Sequence, residues 1–215
     1  MSRIASVASS LALNAFAAPR MGGCPKEYSP MKDFDISRYA GTWYEIARDK
    51  WTPFEFLQSC DMADYTLHED KTVTVHNSGW RPIQGWSDVT GTAVQADSGD
   101  ASLVVTFGDH VPSSGGKPNY TVLDTDYETY SIIYACGGFL NLASFDFLWI
   151  MGREKTLDDA TMMSLLSKIE EKLPHYGFFD NVSMTHQGMF CPYDKRPTAN
   201  TESKQSKAFD WFFQQ

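Results

Sequence analysis

After position 20 the 215-residue chain lacks any apolar run that approaches the roughly 20 residues needed to cross a bilayer as a helix. It also lacks an excess of positive charge: 18 Lys and Arg stand against 27 Asp and Glu, a formal charge of −9. Binding a nucleic acid or an anionic membrane surface would work against that field, so neither is expected as a main function. There is no Cys-x-x-Cys pair, and the five histidines (His68, His76, His110, His175, His186) never fall four apart on one helix. A protein-ligated metal is therefore not expected. Gly-x-Ser-x-Gly and the nucleotide-binding glycine patterns are missing as well.

What is present is a hydrophobic fraction of 42% and an aromatic fraction of 14%, enough apolar surface for a substantial core. Ten prolines and fifteen glycines punctuate short apolar stretches, as in an all-β domain. The dominant period is two. Val73 and Val75 alternate with Thr72, Thr74 and His76; Leu103, Val105 and Phe107 alternate with Ser102, Val104 and Thr106; Tyr120 and Val122 alternate with Asn119 and Thr121. Turn residues at 68–71, 97–100, 112–118 and 126–129 separate these runs. The spacing predicts strands near 42–49, 60–68, 71–79, 86–96, 101–108, 119–125, 129–136 and 145–152. Eight such strands fit an antiparallel up-and-down sheet that loses its edges by closing into a barrel. One helix follows. Thr156 with Asp159 reads as a capping box, and Met162, Leu165, Leu166, Ile169 and Leu173 make an apolar face to pack on the barrel's outer wall. Pro174 ends the helix, and a short strand near 182–185 follows it.

Residues 1–20 read as a targeting segment: Arg3, a weakly apolar run from Ile4 to Ala18, the small-residue pattern Ala15-Phe16-Ala17, and no acidic residue before Glu27. A secretory signal is the first reading. The stretch from Asn14 to Arg20 also resembles the Phe-centred junction of bipartite plastid-targeting sequences in algae, which makes a thylakoid-associated location the alternative. Cys24, Cys60, Cys136 and Cys191 suit two disulfides on such a route, with three pairings open. Asn119 and Asn181 head the two glycosylation sequons. Alternation from an inward Tyr120 places Asn119 on the outer face.

Three motifs, in order, resemble those of the lipocalin family, in its apolipoprotein D and bacterial lipocalin branch. Gly41-Thr42-Trp43-Tyr44-Glu45-Ile46 matches the Gly-x-Trp motif of the first strand, Thr125-Asp126-Tyr127 the turn between the sixth and seventh, and Arg153 the end of the eighth. The similarity covers roughly residues 24–192, one barrel domain, and leaves 193–215 as a flexible tail with an aromatic end. It implies that Trp43 fills the closed end beneath Arg153, and that Gly41, Thr125, Asp126 and Tyr127 are structural too. It further implies the pairs Cys24–Cys136 and Cys60–Cys191, and a lumen that takes one small hydrophobic molecule.

With Trp43 inward, alternation points Ala47, Tyr65, Val75, Asn77, Val89, Leu103, Val105, Phe107, Tyr120, Val122, Phe147 and Trp149 toward a ligand, with Ala63, Val73, Ala93 and Ile133 beside them. Asn77, Tyr65 and Tyr120 supply polar tips to orient an apolar molecule by one polar end. In the branch resembled, the positions matching Asn77 and Trp149 line the cavity. Lipid, sterol, retinoid, carotenoid and tetrapyrrole cargoes all suit such a lumen, and no cofactor is required. Trp51, Phe54, Phe56 and Leu57 fall in the long loop after the first strand, where they fold over the ligand or touch a membrane or partner. Phe209, Trp211, Phe212 and Phe213 end the tail and suit docking on a membrane or protein complex. Some lipocalins are enzymes that act on lipids or xanthophylls. Here the cysteines have structural explanations and Glu45 is the one candidate carboxylate in the lumen, so binding rather than catalysis is expected.

Overall fold

The computed structural model describes residues 20–26, 28–52, 55–96, 99–108, 117–139 and 142–199. Residues 1–19 of the stretch expected to be a targeting segment, Phe54 of the mouth loop and the aromatic residues at 209–213 lie outside the described residues. In chain order the strands are β1 (Arg20–Met21), β2 (Gly41–Asp49), β3 (Ser59–Leu67), β4 (Val73–Arg81), β5 (Gly85–Gln95), β6 (Ser102–Phe107), β7 (Tyr120–Thr125), β8 (Tyr130–Phe139), β9 (Ala143–Gly152) and β10 (Val182–Met184). The α-helices are α1 (Ile36–Tyr39), α2 (Asp159–Lys172) and α3 (Phe178–Asn181). β2 to β9 pair antiparallel in sequence order and β9 returns to β2, closing an eight-stranded up-and-down barrel. The β8–β9 hairpin is longer at its turn than predicted. Its ladder runs on from Cys136 opposite Asp146 to Phe139 opposite Ala143, through glycines that carry no apolar period.

The predicted alternation holds where one wall faces water. In β6, Leu103, Val105 and Phe107 are buried and Ser102, Val104 and Thr106 are half-buried. β2 breaks the pattern. Its ladder with β9 shifts by one residue between Glu45 and Ala47, a bulge that turns the rest of the strand over. Trp43 and Glu45 face the lumen, but Ala47 packs outside with Leu148 and Ile150, and Arg48 turns in opposite Trp149. Ala47 is thus not a ligand-facing residue, contrary to the sequence expectation.

α2 lays Leu165 and Ile169, with Leu173 just beyond, on the outer wall formed by Leu123, Ile132, Tyr134, Leu148 and Ile150. Its N-cap is Asp158, whose carboxylate accepts from the Thr161 N–H at 2.9 Å, rather than Thr156. The helix starts two residues later than the predicted box because an aspartate directly before the first turn offers the nearer acceptor. Leu166 is only half-buried and stays off the contact face.

Two short strands seal the seam. β1 adds to β9 at Ser144 and Ala143, beyond the stretch that β2 covers, and β10 adds to β2 at residues 47–49, where β3 has moved away. The disulfides Cys24–Cys136 and Cys60–Cys191 follow these strands, with Cα–Cα distances of 5.8 and 5.6 Å. The chain remains packed past Cys191. Tyr193 donates to Gln187, and Arg196 bonds Ser78 and pairs with Asp64 at 2.6 Å, so residues 193–196, assigned to the tail from sequence, lie on the barrel.

Candidate functional site

The closed end explains the three motifs. Trp43 is fully buried and donates from Nε1 to the Tyr39 carbonyl, and the Arg153 guanidinium lies 3.7 Å above its ring. That guanidinium also donates to the carbonyls of Arg38, Ala40, Thr42 and Tyr127, locking α1, β2 and the β7–β8 turn together. Gly41 sits at φ +98° with Arg153 Nη1 3.3 Å from where a Cβ would be, so a side chain there would strain the backbone and press on the guanidinium. In the turn, partial burial opposes ionisation of Asp126, but bonds from the N–H groups of Thr129, Tyr130 and Glu128 outweigh it and hold the carboxyl below its ordinary range. Tyr127, at φ +71°, is steadied by Thr125 Oγ1 accepting from its N–H.

Above this plug the barrel encloses a cavity of about 140 Å³. Nine of the twelve predicted ligand residues border it: Tyr65, Val75, Asn77, Val89, Leu103, Val105, Phe107, Tyr120 and Trp149. Three do not. Ala47 is turned outward by the bulge. Val122 packs in the inner cluster with Phe34, Ala101 and Trp43 without reaching the cavity. Phe147 is paired with the cavity-lining Ala135 and so faces inward, but it stacks on Trp149 at 5.9 Å without bordering the cavity. Asn119 departs from expectation in the other direction. It borders the cavity, and its carboxamide bonds both the N–H and the carbonyl of Val105 at 2.8 Å, extending the short β6–β7 ladder with a side chain.

At the mouth stands a charged cluster that the sequence reading did not foresee beyond Glu45. Arg48 Nη1 donates to Glu45 and, at 3.1 Å, to Asp61; Nη2 donates to the carbonyls of Glu55 and Gln58 at 2.9 and 2.7 Å. One guanidinium therefore ties the loop between β2 and β3 to the barrel wall. Thr185, just past β10, also donates to Glu45. Glu55 reaches from the loop to accept the Trp149 Nε1–H at 3.1 Å. Burial, then the nearby Glu45, pushes the Glu55 carboxyl up to about 8 despite Arg48, so it is protonated at neutral pH. The same two causes raise Asp61. Burial works against the charge of Arg48, but Glu45, Glu55 and Asp61 together outweigh it and raise its pKa. The loop is thus tied to the barrel wall through Glu55 and Arg48, whereas Phe56 and Leu57 are 66% and 71% exposed. No signal of spacing marks Arg48, Glu55 or Asp61: each depends on a bulge or a loop path.

Comparison with known proteins agrees with this architecture. A family model described as a lipocalin-like domain matches residues 34–179. The chain is 34% identical over 149 residues to apolipoprotein D of Rattus norvegicus, covering 67% of this chain and 74% of that protein. It is 30% identical over 161 residues to the outer membrane lipoprotein Blc of Vibrio cholerae, covering 74% and 85%. Among solved structures, insecticyanin from the tobacco hornworm Manduca sexta superposes with a TM-score of 0.68 at 24% identity, over 80% of this chain and 90% of that one. Apocrustacyanin C1 superposes with a TM-score of 0.61 at 21% identity, over 80% and 98%. With its plugged base, apolar lumen, external helix and matching family model, the chain belongs to the lipocalin family.

Proposed function

We propose that the barrel binds and carries, or sequesters, one small hydrophobic molecule in its lumen. The observation that carries this reading is the cavity itself. An apolar wall of Val75, Val89, Leu103, Val105, Phe107 and Trp149 encloses space above a plugged base and beneath a lid latched through Glu55. A volume near 140 Å³ suits a single ring or a short acyl chain, since an apolar cavity of about 150 Å³ in a protein core takes up benzene. A pigment or long lipid would extend through the mouth or displace Trp149. The carboxyl groups at the mouth serve structure in this reading, since Glu45 and Asp61 are bonded by Arg48 and Glu55 by Trp149. Two disulfides fit a secretory route. We assign that route to residues 1–20, with the plastid as the alternative, and assign contact with a membrane or protein complex to Phe56, Leu57 and the aromatic tail.

Native mass spectrometry with an absorption spectrum of protein purified from its source tests the proposal. One bound lipid or pigment per chain is the expected result. A barrel that comes away empty and then fails to quench its tryptophan fluorescence with fatty acids, sterols or retinoids overturns it.

A further inference from the structure

Four hydroxyl groups stand in a row at the floor of the cavity. Ser131 Oγ lies 2.9 Å from the Tyr39 hydroxyl, Tyr39 lies 3.2 Å from Tyr120, and Tyr120 lies 3.0 Å from Tyr65. Each hydroxyl carries one hydrogen, so three bonds use three of the four. Ser131 is fully buried and its hydroxyl has no other hydrogen-bond partner among the described residues. It therefore donates to Tyr39, because the opposite direction would leave its hydrogen buried and unpaired. The spare hydrogen belongs to the tyrosines, all three of which border the cavity. Burial pushes Tyr39 up to about 12 and raises Tyr65 and Tyr120 as well, so the row stays fully protonated near neutrality. A molecule that fills the floor must bring an acceptor for that hydrogen.

A second unmatched group lies higher on the wall. Asn77 Oδ1 is buried without a hydrogen-bond partner, and its carboxamide bonds no described residue. Asn77 is paired with Ala63, and Tyr65 with Val75, so two residues of strand, about 7 Å, separate the levels from which these side chains spring. Val73, Val75, Val89, Leu103 and Val105 form the apolar belt around them. The polar tips expected to hold one polar end of a ligand therefore fall into two sites at different depths.

Resting on the carriage reading above, we infer that the barrel selects ligands with oxygen at both ends. The end that enters first accepts a hydrogen bond from the tyrosine floor, and the other end presents a hydroxyl or carboxylic acid to Asn77. The ligand class is an α,ω-dioxygenated chain, or a ring system oxygenated at both poles, rather than a one-headed amphiphile.

Isothermal titration with octan-1-ol and octane-1,8-diol tests the inference on the wild type and on a Tyr39→Phe/Tyr65→Phe/Tyr120→Phe/Ser131→Ala variant, which removes every hydroxyl of the row. A second hydroxyl carried into an apolar site without a partner weakens binding by roughly ten-fold or more. The wild type is expected to bind the diol at least as tightly as the alcohol. The variant, shown to be folded by its melting curve, should bind the diol about ten-fold more weakly than the alcohol. Ten-fold weaker binding of the diol to the wild type overturns the inference while leaving carriage intact, and needs no variant to be read. An undiminished diol preference in the folded variant also overturns it. Failure of both alcohols to bind the wild type counts against carriage and this inference together.

Discussion

Replacing Glu55 by glutamine isolates a mouth carboxyl that stays protonated at neutral pH. In the barrel its proton leaves at about pH 8, against an ordinary value of 4.5. Between those values the folded chain holds a proton that the unfolded chain has released, so stability falls as pH rises and levels off above the folded value. The full slope is about 1.4 kcal/mol per pH unit, or about 5 kcal/mol over the interval for a group wholly cut off from water. The Glu55 side chain keeps 18% of its exposure, and solvent screening leaves roughly half of that figure, about 2 kcal/mol. In Glu55→Gln the carboxamide retains an oxygen for Trp149 and has no proton to lose. The two proteins should melt together near pH 5, and the variant should melt about 4–8 °C higher near pH 8.5, by the usual scaling for a chain of this size. Near-UV circular dichroism melts at half-unit pH steps measure this. A difference in Tm that is independent of pH, or that grows toward acid, would refute the reasoning that burial and Glu45 hold the proton in place.

Trp149→Ala should weaken binding of an apolar probe by roughly 10- to 100-fold, because an aromatic face buried against ligand contributes about 1.5–3 kcal/mol, while the barrel still melts cooperatively. Trp43→Ala should instead destabilise by about 3–5 kcal/mol through loss of a core aromatic; titration and melting of both variants separate the wall from the plug. Arg153→Lys keeps the charge but replaces a planar fork bonded to four carbonyls with a point donor, so a loss of about 2 kcal/mol in denaturant melts is expected. Peptide mapping of protein from its source should find Asn119 without glycan, since its carboxamide bridges β6. Asn181 donates only one exposed bond, to Gly177, and is where a glycan is expected.

The barrel could be read from sequence because each strand has one wet and one dry face, so a period of two survives in Leu103, Val105 and Phe107 despite the turns between strands. The helix was legible from its apolar face, although its first residue was not, since Thr156 and Asp158 compete for the same cap. Disulfide pairing came only through resemblance, as four cysteines leave it undetermined. The site was legible along regular strands and illegible where register slips. Nothing in Glu45-Ile46-Ala47-Arg48 announces the bulge that exchanges an alanine for an arginine in the lumen. Asp61 follows Cys60, held at φ +60° beside a second slip between Ser59 and Met62. Glu55 reaches Trp149 by a loop path with no period at all. Asn119 misled because alternation was carried one residue beyond the start of β7, where the backbone ladder gives way to a side chain. Phe147 shows another limit: its direction was right, but direction does not say which of two stacked rings the cavity meets.

The seam of the barrel has a consequence for the compartment in which its edges stay covered. β1 and β10 contribute two and three residues, yet they cover the bare edges of β9 and β2. Strands this short do not hold themselves in place by backbone bonds alone. Their attachment comes from the chain beside them, where Cys24 is bonded to Cys136 and Cys191 to Cys60. Cutting those bonds exposes two rows of unpaired N–H and C=O groups on a cylinder whose core is still packed, a template for another copy of itself. In a compartment that keeps thiols reduced, the first failure of this protein would be edge-to-edge association of folded barrels, ahead of any unfolding.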